Sequence, residues 1–544
     1  MNLTDKRWKN FLLLGLGGAL TGLTLVFIEV GFLEWLTLLP VGIFLLCEAD
    51  ADNRRCRGLY GYGFFFFMCF YVVVFHWFIN LYPLEFIDGM TTWAAVTVVL
   101  AGCIGLSAFQ ALFGGLMFVA VRLVFKTRLF TKHQVLRPFA IAGLWAIYEW
   151  TQNFGWWGVP WGRLPIAQSE YIVGLQTASL LGSYFITFVI VAVNMCVAYA
   201  IIHREKLKLM AISAAAILVF QYGVGTALYL IPVDSENTVN IAAVQGNISS
   251  NEKWDFSIGP RTLSVYAEYT LKAAKEGADI VVWPETALPY TVTEDGVYGD
   301  YCKTLARTAG VPILVGGFTE NEDGQQYNSI ICVLPDGSFH ETVYSKRRLV
   351  PFGEFVPMRR MFQVLIPPLA ELVMSDDDVV AGEGTAVLEL GNVNIGSLIC
   401  FDSIYDYLSR ESTRDGAQVI ALSTNDSWFT DSAALYMHNA QAQMRAIENG
   451  RYVVRAANTG ISTVISAKGD VLCELEPLVE GTVSYDVHVN NHRTLYSYIG
   501  NLFVGLLLAA FCTLMIYDAL SRKIKKLLKI LDKHNILWYH ISGF

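Results

Sequence analysis

Long apolar segments lie on either side of a central stretch in which apolar and polar residues alternate over short distances. Seven apolar segments precede residue 232, and an eighth lies near the C-terminus. Most of them reach the ~20 residues that a bilayer core requires, so they predict a membrane α-helical bundle of about eight transmembrane helices. The segments cover residues 11–30, 32–47, 60–79, 93–121, 139–150, 180–202, 210–231 and 499–520.

Basic residues are concentrated in every second loop of this pattern. The clusters lie at residues 6–9, 54–57, 122–137, 203–208 and 522–529, whereas the loops at 80–91 and 151–171 contain few basic residues. Cytoplasmic loops carry an excess of Lys and Arg, so the alternation predicts two cytoplasmic termini and an extracytoplasmic central stretch. The first segment has basic flanks like a signal peptide but lacks a small-x-small cleavage site, and we expect it to remain as an anchor.

The central stretch has the pattern of a mixed α/β domain. Strand-like runs bounded by Gly, Asn, Asp or Pro are "TVNIAAVQ", "ADIVVWPE", "VPILVGGF", "NSIICVL", "NVNIGSLICF" and "AQVIALSTN". Helical patterns cover residues 261–276 and 432–449 between some of these runs. A domain of about 260 residues is large enough for its own core, and a site is expected at the polar ends of its strands.

These patterns divide the chain into four parts. The membrane domain with about seven transmembrane helices covers residues 1–231, and the α/β domain covers 232–495. A C-terminal transmembrane helix is predicted at 496–521, followed by a basic cytoplasmic tail at 522–544. The tail has the composition of a helix that lies on a membrane surface.

Composition supports membrane insertion and excludes some partners. The chain of 544 residues is 54% hydrophobic and only 16% charged, and its mean hydropathy is +0.42. The net charge of −9, without a basic stripe, argues against a nucleic-acid partner. The ten cysteines form no CxxC pair and no Cys/His cluster with zinc spacing, so we expect neither a metal site nor a disulfide framework.

Three predicted strand ends in the central stretch carry reactive side chains. Glu285 follows "DIVVWP", Lys346 opens the run "KRRLVPFGE", and Cys400 ends "IGSLIC". A thiol reacts as a thiolate, so a carboxylate that accepts its proton and an ammonium that stabilises an oxyanion would complement Cys400. A buried structural cysteine, a surface glutamate and a solvated lysine remain alternatives, because sequence spacing does not show that the three converge.

The motifs that carry these residues resemble those of a known superfamily. "WPET", "SKRRLVPFGEFVP" and "SLICFDS", in this order, are similar to the Glu-Lys-Cys triad motifs of the nitrilase, or carbon–nitrogen hydrolase, superfamily. Together with seven preceding spans and one following span, they resemble the apolipoprotein N-acyltransferase family, membrane enzymes that finish bacterial lipoproteins. The likeness covers nearly the whole chain and includes "VQGNI", "KWD", "YNSI", "NDSWF" and "HNAQAQMRAIENGRYVVRAANTG". It implies a nitrilase-like α-β-β-α sandwich for the central domain.

The resemblance also implies roles for individual residues. It implies Glu285 as general base, Lys346 as oxyanion stabiliser and Cys400 as nucleophile, with Glu354 as a second essential carboxylate near the triad. The family usually has Glu where this chain has Asp402, and we expect Asp402 to orient the turn or the incoming head group rather than to act as the base.

Three aromatic residues and a histidine complete the candidates. Trp254, Phe401 and Trp428 match substrate-binding positions in the family, with core packing as the alternative for the two tryptophans. A structural hydrogen-bonding role is expected for His438, which has no second histidine near it in sequence. Glu149 lies in the predicted fifth span, where a carboxylate must face the bundle or the interface, and no role is assigned to it.

The implied function is a two-step acyl transfer at a bacterial plasma membrane. A phospholipid would donate the acyl chain, and a diacylglyceryl lipoprotein would accept it, with a monomeric enzyme and no cofactor. One alternative is a membrane-anchored amidase acting on small amides, although eight spans exceed what an anchor requires. A transporter with an inactive extracytoplasmic domain is the other alternative, although the spans contain few ionisable residues and no paired broken helices.

Overall fold

The computed structural model describes residues 7–49, 55–84, 90–233, 235–365 and 378–541. The side chains of residues 251, 256, 362, 365 and 531–541 are outside this description. Lys6 and Arg54 of the basic clusters, residues 85–89 of the loop 80–91, and residues 542–544 of the tail also lie outside the described residues.

The N-terminal part is a helical bundle. Its helices are α1 (Arg7–Val26), α2 (Glu34–Thr37), α3 (Leu39–Glu48), α4 (Cys56–Val74), α5 (Thr92–Phe125), α6 (Arg128–Lys132), α7 (Arg137–Thr151), α8 (Ile172–Leu175), α9 (Ala178–Leu181), α10 (Ser183–Ile202) and α11 (Leu207–Leu230). Helices α1 and α4 approach closely because α1 carries glycines four residues apart. A Cβ atom on Gly18 would lie 2.4 Å from the carbonyl oxygen of Phe66, and one on Gly22 would lie 2.9 Å from that of Phe70.

Seven helical segments among the described residues are long and apolar enough to cross a membrane. They are Arg7–Val26, Ile28–Glu48, Cys56–Val74, Thr92–Phe125, Ser183–Ile202, Arg204–Leu230 and Leu502–Ile530. The predicted count of eight is not confirmed, because α7, at the predicted fifth span, has only 15 residues. Helix α7 nevertheless packs against α5 and α10 inside the bundle. Its Glu149 faces this interior, accepting hydrogen bonds from Leu164 N (3.1 Å) and Thr187 Oγ1 (2.5 Å).

The described residues of the central domain form two six-stranded sheets. The strands are β1 (Thr238–Gln245), β2 (Ile280–Val282), β3 (Ile313–Glu320), β4 (Gln326–Val333), β5 (Tyr344–Ser345), β6 (Val387–Leu390), β7 (Val393–Ile399), β8 (Val419–Thr424), β9 (Tyr452–Ala457), β10 (Thr463–Ile465), β11 (Val471–Glu474) and β12 (Gly481–His488). The first sheet has the order β12-β1-β2-β3-β4-β5 and the second β11-β10-β9-β8-β7-β6. Within them β1, β2 and β3 are parallel, as are β7, β8 and β9.

Helices cover the outer faces of both sheets. The domain helices are α12 (Ser250–Lys253), α13 (Gly259–Lys275), α14 (Val297–Ala309), α15 (Arg359–Leu365), α16 (Asp406–Arg414) and α17 (Ala433–Asn449). Alternate residues of a strand point to opposite faces, so both faces of these sheets must be apolar. Ile241 of β1 packs between the sheets, whereas its neighbour Ala242 packs towards α13 and α14. The expected α-β-β-α sandwich is confirmed.

The α16–α17 layer of the sandwich joins the membrane bundle. Ile420 and Leu422 of β8 belong to the same apolar cluster as α17 and the bundle helices. A polar junction reinforces this packing at the fully buried Asp406, whose carboxylate accepts hydrogen bonds from side chains of the bundle and of the C-terminal segment. The donors are Asn153 (2.6 Å), Tyr184 (3.0 Å), Tyr496 (2.6 Å) and Asn501 (2.8 Å). These contacts hold the α16–α17 layer against the bundle.

Two further helices end the described chain. They are α18 (Leu495–Ile499) and α19 (Leu502–Ile541). Helix α19 packs against α7 and α10 and continues without a break from the predicted span into the predicted basic tail. Its Asp518 pairs with Arg522 (2.6 Å) and Arg128 (3.9 Å), which ties the helix to the α5–α7 connection.

Candidate active site

Four strand ends bring polar residues to one edge of the sandwich. Glu285 lies three residues beyond β2, Lys346 follows β5, Cys400 follows β7, and Asn425 follows β8. Strands β7 and β8 are parallel and pair Ile399 with Ser423, so Cys400 and Asn425 emerge at the same edge. The Ser423 hydroxyl donates to the carbonyl oxygen of Trp283 (2.8 Å), which joins the two sheets there.

Lys346 lies between two carboxylates. Its Nζ atom is 2.7 Å from Glu285 Oε1 and 2.9 Å from Glu354 Oε2, and the lysine side chain is only 2% exposed. The side-chain amide of Asn328 donates to the same two carboxylates, at 2.8 Å for Glu285 and 2.9 Å for Glu354. Asn328 belongs to the "YNSI" motif, but nothing in the sequence indicated this bridging position. The structure thus brings Glu285, Lys346 and the predicted supporting residue Glu354 together.

Hydrogen bonds and charge keep the Lys346–Glu285 pair ionised. The second oxygen of Glu285 accepts a hydrogen bond from Asn425 N (2.8 Å). Burial raises the pKa of Glu285, but the Lys346 ammonium outweighs it, so the net pKa lies below the usual range. Burial lowers the pKa of Lys346, but Glu285 and Glu354 raise it well above its usual range. Glu285 is therefore a carboxylate at neutral pH, the form that accepts a proton.

Cys400 sits at a strained turn beside this pair. Its φ angle is +47°, in the left-handed region that non-glycine residues rarely adopt. Burial and the Glu285 carboxylate raise the pKa of the Cys400 thiol well above its usual range, although Lys346 opposes this shift. The thiol is therefore protonated at rest and needs a base. Glu285 is close enough to raise the pKa of the thiol electrostatically. Its carboxylate is ionised and can therefore accept the thiol proton.

Asp402 lies behind the Cys400 turn. Its carboxylate is fully buried. It accepts hydrogen bonds from the Tyr344 hydroxyl (2.8 Å) and from backbone N–H groups of Ile399 (3.2 Å), Arg347 (3.3 Å) and Arg348 (2.8 Å). Burial raises its pKa to about 6. These contacts connect the Cys400 turn to the loop after Lys346. They support the expectation that Asp402 orients the turn. Neither carboxylate oxygen is exposed to a lipid head group.

A second lysine lies behind Glu285. Lys253 ends α12 and is buried, and its Nζ donates to the Thr286 hydroxyl (2.6 Å) and to the carbonyl oxygen of Glu285 (3.2 Å). Burial lowers the pKa of Lys253 to about 7, while the Glu285 charge opposes this. Thr286 has a φ angle of +44°, so Lys253 supports a second strained turn. Sequence reasoning missed this residue, and the only available signal was its place in the "KWD" motif.

The three aromatic candidates have different neighbours and do not share a cavity. Trp254 is 38% exposed, and its ring centroid is 6.2 Å from that of Phe318. The Phe401 ring contacts Tyr405 at 5.5 Å, and Trp428 is partly buried on the 3₁₀ turn Ser427–Phe429. A cavity of about 440 Å³ borders the loop that carries Lys346 and Glu354. It is lined by Gly155, Trp156, Arg347, Arg348, Leu349, Phe355, Asp378, Val379, Val380, Ala381 and Tyr405, so the three candidates lie outside it.

One group of side chains in the described part of the chain has the composition of a metal site. Potential ligand atoms of Cys400, Asp426 and His438 lie within 4.8 Å of one another. The Arg455 guanidinium, however, is 2.5 Å from Asp426 and 3.2 Å from His438 Nδ1. This fixed positive charge opposes a cation at the same place, so the group is better described as a hydrogen-bonded network.

Comparison with known proteins gives two family matches. Residues 17–196 match the apolipoprotein N-acyltransferase N-terminal domain, and residues 240–495 match the carbon-nitrogen hydrolase family. The second match contains all of the triad residues Glu285, Lys346 and Cys400.

Similar full-length proteins carry one name. An apolipoprotein N-acyltransferase of Geobacter metallireducens is 32% identical over 371 residues, which are 66% of this chain and 70% of that protein. Those of Gloeobacter violaceus and Rhodopseudomonas palustris are 29% and 28% identical, over 90% and 94% of this chain and 90% and 95% of theirs.

Solved structures similar to the central domain include an amidase from Nesterenkonia sp. and Nit3 of Saccharomyces cerevisiae, a member of the nitrilase superfamily. Both are 18% identical, with TM-scores of 0.36 and 0.37. The match to the amidase covers 48% of this chain and 94% of the amidase chain. The match to Nit3 covers 49% of this chain and 95% of the Nit3 chain. The identity and coverage of the full-length relatives, together with the two family matches, show that this chain is an acyltransferase that belongs to the apolipoprotein N-acyltransferase family.

Proposed function

We propose that this protein moves an acyl chain from a phospholipid, through a thioester on Cys400, to the N-terminal amine of a diacylglyceryl-cysteine lipoprotein. The observation that carries the proposal is the buried Lys346, held between Glu285 and Glu354 beside the Cys400 turn. These residues belong to a domain whose α16–α17 layer packs directly against the membrane bundle. The relatives are named apolipoprotein N-acyltransferases, which supports acyl transfer to a nitrogen of an apolipoprotein.

The first half-reaction forms the acyl-enzyme. Glu285 accepts the proton of the Cys400 thiol, and the thiolate attacks the ester carbonyl carbon of the phospholipid. The resulting oxyanion is stabilised by Lys346 and by backbone N–H groups at the strand end. When the tetrahedral intermediate collapses, the ester C–O bond breaks, and the leaving lysophospholipid oxygen takes the proton from Glu285. A thioester remains on Cys400.

The second half-reaction regenerates the thiol. The α-amino group of the acceptor attacks the thioester carbonyl, and Glu285 removes a proton from the attacking nitrogen. The C–S bond then breaks, an amide is released, and the Cys400 sulfur recovers a proton from Glu285. Two substrates that use one covalent intermediate give ping-pong kinetics.

The environment of the site suits amphiphilic substrates. The cavity beside the Lys346 loop combines the guanidinium groups of Arg347 and Arg348 with apolar and aromatic walls that include Trp156 from the membrane bundle. Arg348 is held over the rings of Tyr405 and Tyr407 and donates to the carbonyl oxygen of Asn153 (2.9 Å). We place a charged head group near these arginines and the acyl chain towards the bundle.

The proposed location is a bacterial plasma membrane, with the catalytic domain outside the cytoplasm and both termini inside. The alternating basic loops support this orientation. The protein is proposed to act as a monomer. A small-amide hydrolase and a transporter are less well supported, because the family matches cover both the membrane part and the catalytic domain.

The decisive experiment measures the acyl-enzyme and its transfer separately. Purified protein in detergent is incubated with a phospholipid of defined chains, and its intact mass is measured before and after a synthetic diacylglyceryl-cysteine peptide is added. We expect a mass increase of one acyl chain that maps to Cys400, is released by hydroxylamine, and moves to the peptide amine. A small-amide hydrolase or a transporter would gain no acyl chain, and that result would overturn the proposal.

A further inference from the structure

His438 lies at the end of a hydrogen-bonded chain that reaches the backbone of Cys400. The ring is 1% exposed, and its Nε2 atom is 3.2 Å from the Cys400 carbonyl oxygen and 2.9 Å from the Ser403 hydroxyl. The Ser403 hydroxyl itself donates to the Cys400 carbonyl oxygen at 2.8 Å. Two side chains therefore converge on one carbonyl group of the nucleophile residue.

The conformation of Cys400 makes this support necessary. A non-glycine residue with a φ angle of +47° is strained, and such a residue keeps this conformation only when its surroundings hold it. The side chains of His438 and Ser403 hold the carbonyl side of the residue. Asp402 accepts a hydrogen bond from Ile399 N (3.2 Å) and so holds the residue before Cys400. The thiol direction is thereby fixed relative to Glu285 and Lys346.

The opposite edge of the His438 ring is also held by a hydrogen bond. Its Nδ1 atom is 2.9 Å from Asp426 Oδ1, and the second oxygen of Asp426 accepts a hydrogen bond from Arg455 (2.5 Å). Asp426 can approach because residue 460 is glycine: a Cβ atom there would lie 2.3 Å from Asp426 Oδ2. The chain Arg455–Asp426–His438 thus anchors the ring in the core of the domain.

The ring also contacts the membrane bundle. The Trp161 ring centroid, in the loop after α7, is 5.5 Å from that of His438, and Trp161 in turn contacts Trp77 (5.6 Å) and Phe429 (5.8 Å). Asn80, near the end of the third predicted span, donates to the Phe429 carbonyl oxygen at 3.1 Å. The residue that holds the Cys400 turn therefore packs against elements that enter the membrane.

We propose that His438 is a positioning residue that holds the Cys400 turn in its reactive conformation and transmits the docking of the bundle, through Trp161, to the nucleophile. The proposal rests on the proposed role of Cys400 as nucleophile. It assigns no proton transfer to His438. Its effect is on where the thiol points, and a displacement of ~1 Å at a reacting atom can cost about 10²-fold in rate.

The test uses the full-length protein and three variants. His438→Ala removes the ring, His438→Gln keeps a side-chain amide that can reach the Cys400 carbonyl oxygen, and Ser403→Ala removes the second donor. Gln443→Leu is the matched control, since Gln443 is buried on the same helix and donates to the Gly469 carbonyl oxygen (3.1 Å). The readouts are the single-turnover rate of acyl-enzyme formation, the phospholipid concentration at half-maximal rate, and the alkylation rate of Cys400 by iodoacetamide.

We expect His438→Ala to lower the acylation rate per folded molecule about 10²-fold at an unchanged half-saturating phospholipid concentration. The acylation rate of His438→Gln should be at least about tenfold higher than that of His438→Ala. The rate of Gln443→Leu should equal that of the wild type. Wild-type acylation and alkylation rates per folded molecule in His438→Ala would overturn the proposal. If His438→Ala does not fold, His438→Phe takes its place, because phenylalanine keeps a ring against Trp161 but cannot donate to the Cys400 carbonyl oxygen. Wild-type acylation and alkylation rates in a folded His438→Phe protein decide against the proposal.

The readouts separate this proposal from the proposed function. A wild-type protein that forms no acyl-enzyme contradicts the proposed function, whatever the variants do. A wild-type protein that acylates normally, together with unaffected variants, contradicts only the role of His438. The alkylation rate reports the accessibility and reactivity of the Cys400 thiol without any lipid substrate.

Discussion

The Nζ atom of Lys346 lies 2.7 Å from Oε1 of Glu285, and both side chains are buried. An ammonium group has three N–H donors, and the contacts to Glu285 and Glu354 use two of them. The proposed mechanism assigns the third N–H to the oxyanion of a bound ester. In that mechanism Lys346 keeps Glu285 ionised and stabilises the transition state without changing partners.

The first prediction concerns the triad. Cys400→Ala should abolish the acyl-enzyme, and Glu285→Gln and Lys346→Ala should each lower the acylation rate by about 10²–10⁴-fold. Intact-mass measurement after incubation with phospholipid gives the rates, and size-exclusion chromatography gives the folded fraction. Cys302→Ala, at a buried cysteine of α14, is the matched control. Acyl transfer by Cys400→Ala would refute the nucleophile assignment.

The second prediction concerns Asn328, which bridges Glu285 and Glu354. Asn328→Ala should slow acylation about tenfold, because two charge-assisted hydrogen bonds are lost. Asn328→Asp should slow it further, because a third carboxylate would repel the other two and compete for Lys346. The rates are compared by the same intact-mass assay. An aspartate variant as active as the wild type would show that the amide does not organise the charges.

The third prediction concerns Asp402. Asp402→Asn replaces an oxygen that accepts hydrogen bonds with an amide that donates, so it should loosen the turn, keep a measurable acyl-enzyme and mainly slow turnover. Asp402→Glu, the usual family residue, should be tolerated. Single-turnover acylation and steady-state transfer are measured side by side. Complete loss of the acyl-enzyme in a folded Asp402→Asn protein would place this carboxylate in the chemical machinery.

The fourth prediction is a pH dependence of stability. Burial lowers the pKa of Lys253 from 10.5 to about 7, so between these values the unfolded chain binds a proton that the folded chain lacks. The cost of burying the ammonium is complete below pH 7 and falls by up to about 1.4 kcal/mol per pH unit towards pH 10.5.

Lys253→Met removes this cost along with two hydrogen bonds. The thermal midpoint of the variant minus that of the wild type should therefore be most positive near pH 6 to 7 and decrease towards pH 10. Lys275→Met, at an exposed lysine at the end of α13, is the control and should show no such trend. A difference that stays constant across this range would contradict the shifted pKa of Lys253.

The fifth prediction tests the orientation in the membrane. An epitope inserted at Asn321, in the exposed β3–β4 hairpin, should bind antibody on cells whose outer barrier has been removed. A tag placed after Lys529 should bind only after the plasma membrane is permeabilised, because the basic loops are expected on the cytoplasmic side. Binding to the second tag in intact spheroplasts would contradict the proposed topology.

The sequence by itself determined the elements of the fold. Helix and strand periodicities are local, so apolar runs located most of the long helices, and the six strand-like runs correspond to β1–β4, β7 and β8. Helix α7 shows the limit of this reasoning. Its sequence contains an apolar run at residues 139–150, but its 15 residues are too few to cross a bilayer alone. Its packing against α5 and α10 explains the apolar run.

Only the tertiary structure decided which polar residues meet. Lys346 and Glu285 are separated by 61 positions and His438 and Cys400 by 38 positions, and no local pattern specifies contacts over such separations. Resemblance to family motifs could indicate the triad, but not the bridging amide of Asn328 or the buried amine of Lys253. Those positions follow from how two sheets pack face to face and dock on the bundle, because burial requires each polar group at the shared edge to find a partner there.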